Sequence, residues 1–176
     1  LILATPCAVM AALAWLARRG IVVKGSAALE RLATVDTFAF DKTGTLSAGD
    51  LALGDIFPLG GGSADEVLQL AAGAERPSGH PIARLLRQAA TARKLTVDWP
   101  ADFVTHLGVG VSARVNSNSH VVVGTEKLLH AQNIAQSESA QREASRLLEA
   151  GQTPLWVALN GELIGVIGVR ESLREE

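Results

Sequence analysis

The chain has 176 residues, 48% of them apolar, and a formal net charge of −2. That is enough apolar material for a packed core, and it gives no electrostatic reason to expect a nucleic-acid partner. A single cysteine excludes an internal disulfide framework, and 4% aromatic content with no tyrosine argues against a stacking platform for single-stranded nucleic acid.

Residues 1–17 carry no charge, and Arg18 and Arg19 follow at once. As a helix this run spans roughly 25 Å, against about 30 Å for the hydrocarbon core of a bilayer. It reads as the cytoplasmic half or more of a transmembrane helix. The Arg pair is a positive-inside signal that puts the following residues in the cytoplasm. A signal peptide carries its basic residues before the apolar run, the reverse of this order. Within the run, Thr5-Pro6-Cys7 sets a thiol beside a proline. Proline removes a backbone donor and opens a helix locally. A thiolate in such a gap suits soft or borderline cations such as Cu(I), Zn²⁺ or Cd²⁺, although a buried cysteine is commonly inert.

Residues 20–24 read as a short strand or extended link, and Ser26 as the cap of a short helix over 27–32. Residues 35–40 form an apolar run of β-formers and predict a buried strand with Asp41 at its C-terminal tip. In open α/β sheets that tip is where ligands bind. A strand is expected over 51–57, then a loop at Pro58 and Gly60 to Gly62, then a helix over 64–73 capped by Ser63. A second helix is expected over 81–94, with Pro81 in its first turn and Arg84, Arg87 and Arg93 on a solvated face. Strands follow at 104–108, 111–115 and 120–123, with a turn at 116–119. Thr125 opens a short helix, and 137–150 a longer one that Gly151 ends. Asn160-Gly161 between apolar strands 155–159 and 163–169 is a hairpin signal. The middle of the chain is therefore expected to be an α+β module with an antiparallel sheet. It interrupts an α/β unit that begins at Val35 and resumes near Glu171.

Three groups of residues carry chemistry. Asp41-Lys42-Thr43-Gly44-Thr45 places a carboxylate where it can act as a nucleophile toward phosphorus. A cation such as Mg²⁺ is needed to screen it against the phosphate. Thr43 and Gly44 offer a hydroxyl, backbone groups and a tight turn near the phosphoryl oxygens. The second group is Cys7 with its proline. The third is Glu75, Ser78, Gly79, His80 and Pro81, which lead into the second helix, together with Gly108-Val109-Gly110 and Gly124. A helix N-terminus favours an anion, and glycines let a ligand approach the backbone. No Walker loop is present, so any nucleotide is held in another way. His106, His120 and His130 share no short metal-ligand spacing and are assigned no role.

The pentapeptide at Asp41 resembles the phosphorylation motif of P-type ATPases, whose catalytic domain is similar to the haloacid-dehalogenase fold. The resemblance implies an aspartyl phosphate at Asp41 with Lys42 and Thr43 beside it, and Mg²⁺ held by Asp41 and the Thr43 carbonyl. Phosphatases of the wider superfamily carry a general-acid aspartate where this chain has Thr43. Without that acid the acyl phosphate should hydrolyse slowly, as a pump requires. Within the P-type ATPases the chain resembles the heavy-metal-transporting class. That class has a Cys-Pro-Cys-like motif where this chain has Thr5-Pro6-Cys7, which implies Cys7 as a transport ligand with one thiol fewer. It also holds the adenosine part of ATP with a His-Pro pair, an upstream glutamate and a Gly-x-Gly turn, implying Glu75, His80, Pro81, Gly108 and Gly110 as nucleotide contacts. Gly124, followed here by Thr125 where the family often has asparagine, completes the set.

The expected layout is a transmembrane segment (1–19), the first part of a phosphorylation domain (20–47), a nucleotide-binding domain (48–168) and a return into the phosphorylation domain (169–176). The fold class is an α+β nucleotide-binding domain inserted in an incomplete α/β haloacid-dehalogenase-like domain. The resemblance implies ATP-driven transport of a heavy-metal cation (Cu, Zn, Cd or Co) by a multi-pass membrane pump. The chain is expected to be a fragment of that pump, nearly inactive alone, whose partners are the cation, the bilayer and the pump's remaining domains. The alternatives are a soluble dehalogenase-fold phosphohydrolase and a nonenzymatic ATP-binding module.

Overall fold

The computed structural model describes residues 3–40, 47–116 and 118–173. The chain divides into two units, Leu1–Asp41 and Lys42–Glu176.

In the first unit the apolar run forms helix α1, Ala4–Ala17, none of whose residues is buried. Its 14 residues make roughly 21 Å of helix. Among the described residues no helix is long and apolar enough to cross a membrane. Pro6 falls in the first turn, where its missing donor costs no bond. The Cys7 N–H reaches the Leu3 carbonyl at 3.2 Å, whereas the carbonyl that the proline would leave free, at position 2, lies outside the described residues. Arg19 lays its guanidinium 3.6 Å over the Trp15 ring. Helix α2, Ser26–Leu32, begins one residue before the expected start, with Gly25 rather than Ser26 as the cap.

The strand expected over 35–40 is not formed. These residues have no regular structure, and Phe38 and Phe40 are exposed and stack on each other. A run of β-formers becomes a buried strand only where neighbouring strands take up its N–H and C=O groups. Among the described residues, every sheet pairing lies between residues 47 and 173.

In the second unit, six strands form one antiparallel sheet in the order β1-β6-β5-β4-β3-β2. They are β1 (Ser47–Pro58), β2 (Ala101–His106), β3 (Gly110–Val115), β4 (Ser119–Gly124), β5 (Thr153–Leu159) and β6 (Glu162–Leu173). Between them lie α3 (Ala64–Ala74), α4 (Pro81–Ala92), α5 (Glu126–Ala131) and α6 (Glu138–Glu149). Alternation along the strands sorts the side chains between the two faces. Val121, Val123, Leu155, Val157 and Ile167 join Leu68 and Leu86 of α3 and α4 in one core. Val122, Trp156, Ala158 and Val166 join Leu128 and Leu147 of α5 and α6 in the other. Each fully buried leucine stabilises the layers by roughly 1.5–3 kcal/mol.

Local signals set the boundaries. The Ser63 and Ser137 hydroxyls cap α3 and α6, accepting from Glu66 N and Ala140 N. Asn160 and Gly161 both have positive φ, 51° and 86°, as a type I′ hairpin turn requires. One tie has no local signal. The Gln152 amide accepts from Asp55 N at 3.0 Å and donates to the Asp55 carboxylate at 2.7 Å. This pins the start of β5 against an irregularity in β1.

Candidate nucleotide-binding site

The α3–α4 loop carries Glu75, Ser78 and His80, and its shape is held from below. Arg87 donates to the carbonyls of Glu75, Arg76 and Ser78 at 3.3, 3.2 and 3.2 Å. This arginine was expected on a solvated face. It is instead half-buried, because its guanidinium reaches three loop carbonyls, of which, among the described residues, only that of Glu75 also accepts from a backbone N–H, that of Ser78 at 3.0 Å. Arg84 is exposed and Arg93 pairs with Asp65 at the surface.

His80 is the N-cap of α4, its Nδ1 accepting from Ile82 N at 3.2 Å. With Nδ1 engaged as an acceptor, the neutral ring carries its proton on Nε2 and keeps that donor for another partner. Pro81 follows at the first helical position.

Glu75 is only 4% exposed, and its Oε2 has no hydrogen-bond partner among the described residues. Burial pushes its carboxyl above the usual range. The Ser78 hydroxyl, His80 and Arg87 pull the other way and do not cancel it. A raised pKa means that the folded chain binds this proton more tightly than the unfolded one. Stability therefore falls as pH rises from the unfolded value near 4.5 through the folded value, and the penalty persists above it. Glu75→Gln is expected to raise stability at pH 7 and flatten this part of the profile. Urea unfolding between pH 4.5 and 8 checks it, and a variant no more stable than the parent at pH 7 would refute it.

The β2–β3 and β4–α5 turns form the opposite wall. Gly108 has φ 72° and Gly110 φ 145°. Gly110 and Gly124 face each other across β3 and β4. A Cβ on Gly110 would meet Val123 O at 2.2 Å, and one on Gly124 would meet Val109 O at 2.2 Å. These two glycines thus serve the contact between strands, whereas a Cβ on Gly108 would meet nothing within 4 Å. The Thr125 N–H donates to Val109 O at 2.8 Å and closes the turn.

Glu75, His80, Gly108, Gly110 and Gly124, far apart in sequence, line one cavity of about 190 Å³. Pro81 lines a neighbouring cavity of about 380 Å³ instead. Ile82 and Leu155 add apolar walls to both, and Thr125 lines both. Sequence reasoning missed His106, which lines the smaller cavity with its Nε2 2.9 Å from Ser112 Oγ. Its place two residues before Gly108, on the strand leading into the turn, was the available signal. The arrangement offers a buried acceptor, a ring donor and aliphatic faces, which suits a flat polar heterocycle.

Asp41, Lys42 and Thr43 lie outside the described residues. Cys7 is exposed on α1. Among the described residues no group of three or more His, Cys, Asp or Glu side chains could hold a metal ion.

Comparison with known proteins agrees with this architecture. The family described as haloacid dehalogenase-like hydrolase matches residues 35–176. The "Probable copper-exporting P-type ATPase V" of Mycobacterium tuberculosis is 36% identical over 99% of this chain and 22% of its own length. The zinc/cadmium/lead-transporting P-type ATPase of Escherichia coli is 35% identical over 100% of this chain and 23% of its own. The crystal structure of a zinc-transporting PIB-type ATPase in an E2.Pi state superposes with a TM-score of 0.78 at 34% identity, over 97% of this chain and 27% of that one. The chain thus spans under a quarter of the length of these two curated relatives. It belongs to the haloacid dehalogenase-like hydrolase family, and its homologues over its whole length are heavy-metal P-type ATPases.

Proposed function

We propose that this chain is the nucleotide-binding part, with the adjoining phosphoryl acceptor, of an ATP-driven heavy-metal pump working through an aspartyl phosphate. The observation that carries the reading is the single cavity lined by Glu75, His80, Gly108, Gly110 and Gly124. In this reading the adenine enters that cavity. Its exocyclic amine donates to the Glu75 carboxylate, and the His80 Nε2–H meets a ring nitrogen. Ile82 and Leu155 cover the base, since no Phe, Tyr or Trp lines the cavity.

Asp41 supplies the nucleophile, with Lys42 beside it, and Asp41 and the Thr43 carbonyl are the chain's own candidate ligands for Mg²⁺. Thr43 stands where a phosphatase keeps its general acid, which favours a long-lived acyl phosphate over rapid hydrolysis. Cys7 is the candidate ligand for the transported cation in a multi-pass membrane protein whose catalytic domains face the cytoplasm. The ion is Cu, Zn, Cd or Co. Relatives of nearly equal identity are named for copper and for zinc, cadmium and lead, and Thr5 leaves one thiol fewer than a Cys-Pro-Cys site.

Isothermal titration of the 176-residue chain with ATP tests the nucleotide reading. His80→Ala should weaken binding about two- to tenfold, the net worth of one hydrogen bond. Its stability should fall only by the loss of a helix cap, about 1 kcal/mol. Equal ATP affinity in parent and variant would place the nucleotide elsewhere.

A further inference from the structure

The cavity assigned to the base adjoins a second one. The neighbouring cavity of about 380 Å³ shares His80, Ile82, Thr125 and Leu155 with it. Their chemistries differ. The smaller contains the buried Glu75 carboxylate, which repels an anion when ionised and gives it no counter-charge when neutral. The larger is lined by the exposed Arg170 of β6, the Thr153 hydroxyl and the start of α4 at Pro81.

Arg170 differs from most of its kind in this unit. Arg93, Arg114 and Arg146 are paired with carboxylates, and Arg76 and Arg87 are tied to carbonyls. The Arg170 guanidinium has neither kind of partner among the described residues. A free guanidinium at a cavity wall offers a fork of donors matched to phosphate oxygens. The first turn of α4 adds a partial positive charge from its backbone dipoles. The other charged group in this wall, Glu171, is half-buried and of opposite sign, so a phosphate must sit on the Arg170 side.

We propose that Arg170 is a phosphate-binding residue: the nucleoside occupies the smaller cavity and the phosphate tail of the same nucleotide lies along the larger one, with Arg170 and Thr153 as its contacts. The proposal rests on the nucleotide reading and extends it to a residue that the sequence motifs do not include. It orients the ligand, with the phosphates toward the ends of β1 and β6, where Leu51 and Val169 line the same cavity.

The test is titration calorimetry of the parent chain and of Arg170→Gln with adenosine, AMP, ADP and ATP, at low and moderate salt. The parent should bind ATP more tightly than adenosine, with an advantage that shrinks as salt rises. Arg170→Gln should lower ATP affinity about two- to fivefold, as expected for an exposed charge pair, and leave adenosine affinity unchanged. Arg170→Lys should recover part of the loss, because the point charge remains and the fork does not. Equal ATP affinity in the parent and Arg170→Gln overturns the proposal, as does tripolyphosphate binding as tightly as ATP. If the parent binds ATP and adenosine equally, the phosphate assignment fails and the nucleoside site stands. If the parent binds neither, the nucleotide reading fails and the proposal falls with it. Unfolding midpoints of the two variants, expected to match the parent because Arg170 is exposed, separate lost binding from lost fold.

Discussion

Replacing Gly110 with alanine is expected to destabilise the β-sheet unit by about 3–5 kcal/mol, the range reached when backbone strain and a hard clash combine. Two separate costs act at this position. The backbone has φ 145°, which an L-residue with a Cβ rarely adopts. The added carbon would also lie 2.2 Å from Val123 O and 2.6 Å from the Gly124 Cα. Both atoms belong to the backbone of β4, so no side-chain rotation relieves the contact and the strands must part. Gly110 and Gly124 are register partners, so the parting falls on the wall of the proposed base cavity and ATP binding should be lost with the stability. Gly108→Ala is the control. Its φ of 72° is left-handed, but nothing lies within 4 Å of the new carbon, so it should cost only about 1–2 kcal/mol. Urea unfolding of the two variants measures the difference. The account fails if Gly110→Ala unfolds no earlier than Gly108→Ala.

Asp41→Asn is expected to abolish phosphoenzyme formation in the full-length protein that carries this chain, by about 10⁴-fold or more, as removal of a nucleophile generally does. On the proposed function, an Asp41 carboxylate oxygen attacks the γ-phosphorus. The bond from that phosphorus to the bridging oxygen breaks, ADP leaves, and an acyl phosphate remains. An amide is neutral and far less nucleophilic, so the step stops at bound ATP. On the same reading the base is held by Glu75 and His80 rather than by Asp41, so ATP affinity of the 176-residue chain should be unchanged in the variant. Acid-stable labelling from γ-labelled ATP reads the first part and calorimetry the second. Label that survives in Asp41→Asn would remove this residue as the acceptor.

Glu75 connects stability to function in a different way. A buried carboxyl with one oxygen unpartnered among the described residues lowers stability at neutral pH, and an apolar or amide side chain would serve the fold better. Its position makes sense when a ligand donor meets that oxygen. Glu75→Gln, expected to stabilise the empty chain, should therefore also weaken ATP binding if the amine of the base is its partner.

Much of this protein was legible before any coordinates. The helices of the sheet unit announced themselves by serine caps at Ser63 and Ser137, by His80-Pro81, and by apolar residues at helical spacing. The strands announced themselves by alternation, and the last hairpin by Asn160-Gly161. Such signals are local: a cap, a turn or an amphipathic face forms through contacts within a few residues, so the information lies within a few residues. The pentapeptide at Asp41 is an equally local pattern, but its residues lie outside those the structure describes.

Failures came where a side chain's role depends on what the fold brings to it. Residues 35–40 have strand-forming composition, but a strand also needs neighbours, and among the described residues none pairs with them. Arg87 belongs by spacing to a polar helix face, yet the α3–α4 loop folds its carbonyls onto the guanidinium. His106 has no motif and enters the cavity wall only because β2 runs beside β3. Gln152 and Asp55, 97 positions apart, are joined only by the sheet order. The amino-acid sequence by itself determined most of the elements and the α+β class, and it supplied the residues proposed to bind a nucleotide or accept a phosphoryl group, because local backbone preference and side-chain chemistry are properties of short segments. Only the tertiary structure decided that Gly110 and Gly124 serve the strand contact, that Glu75 is buried with an oxygen unpartnered among the described residues, and that the cavity lined by Glu75 shares residues with a second one lined by Arg170. Those are facts about distance and solvent exclusion between segments, which no short stretch of sequence contains.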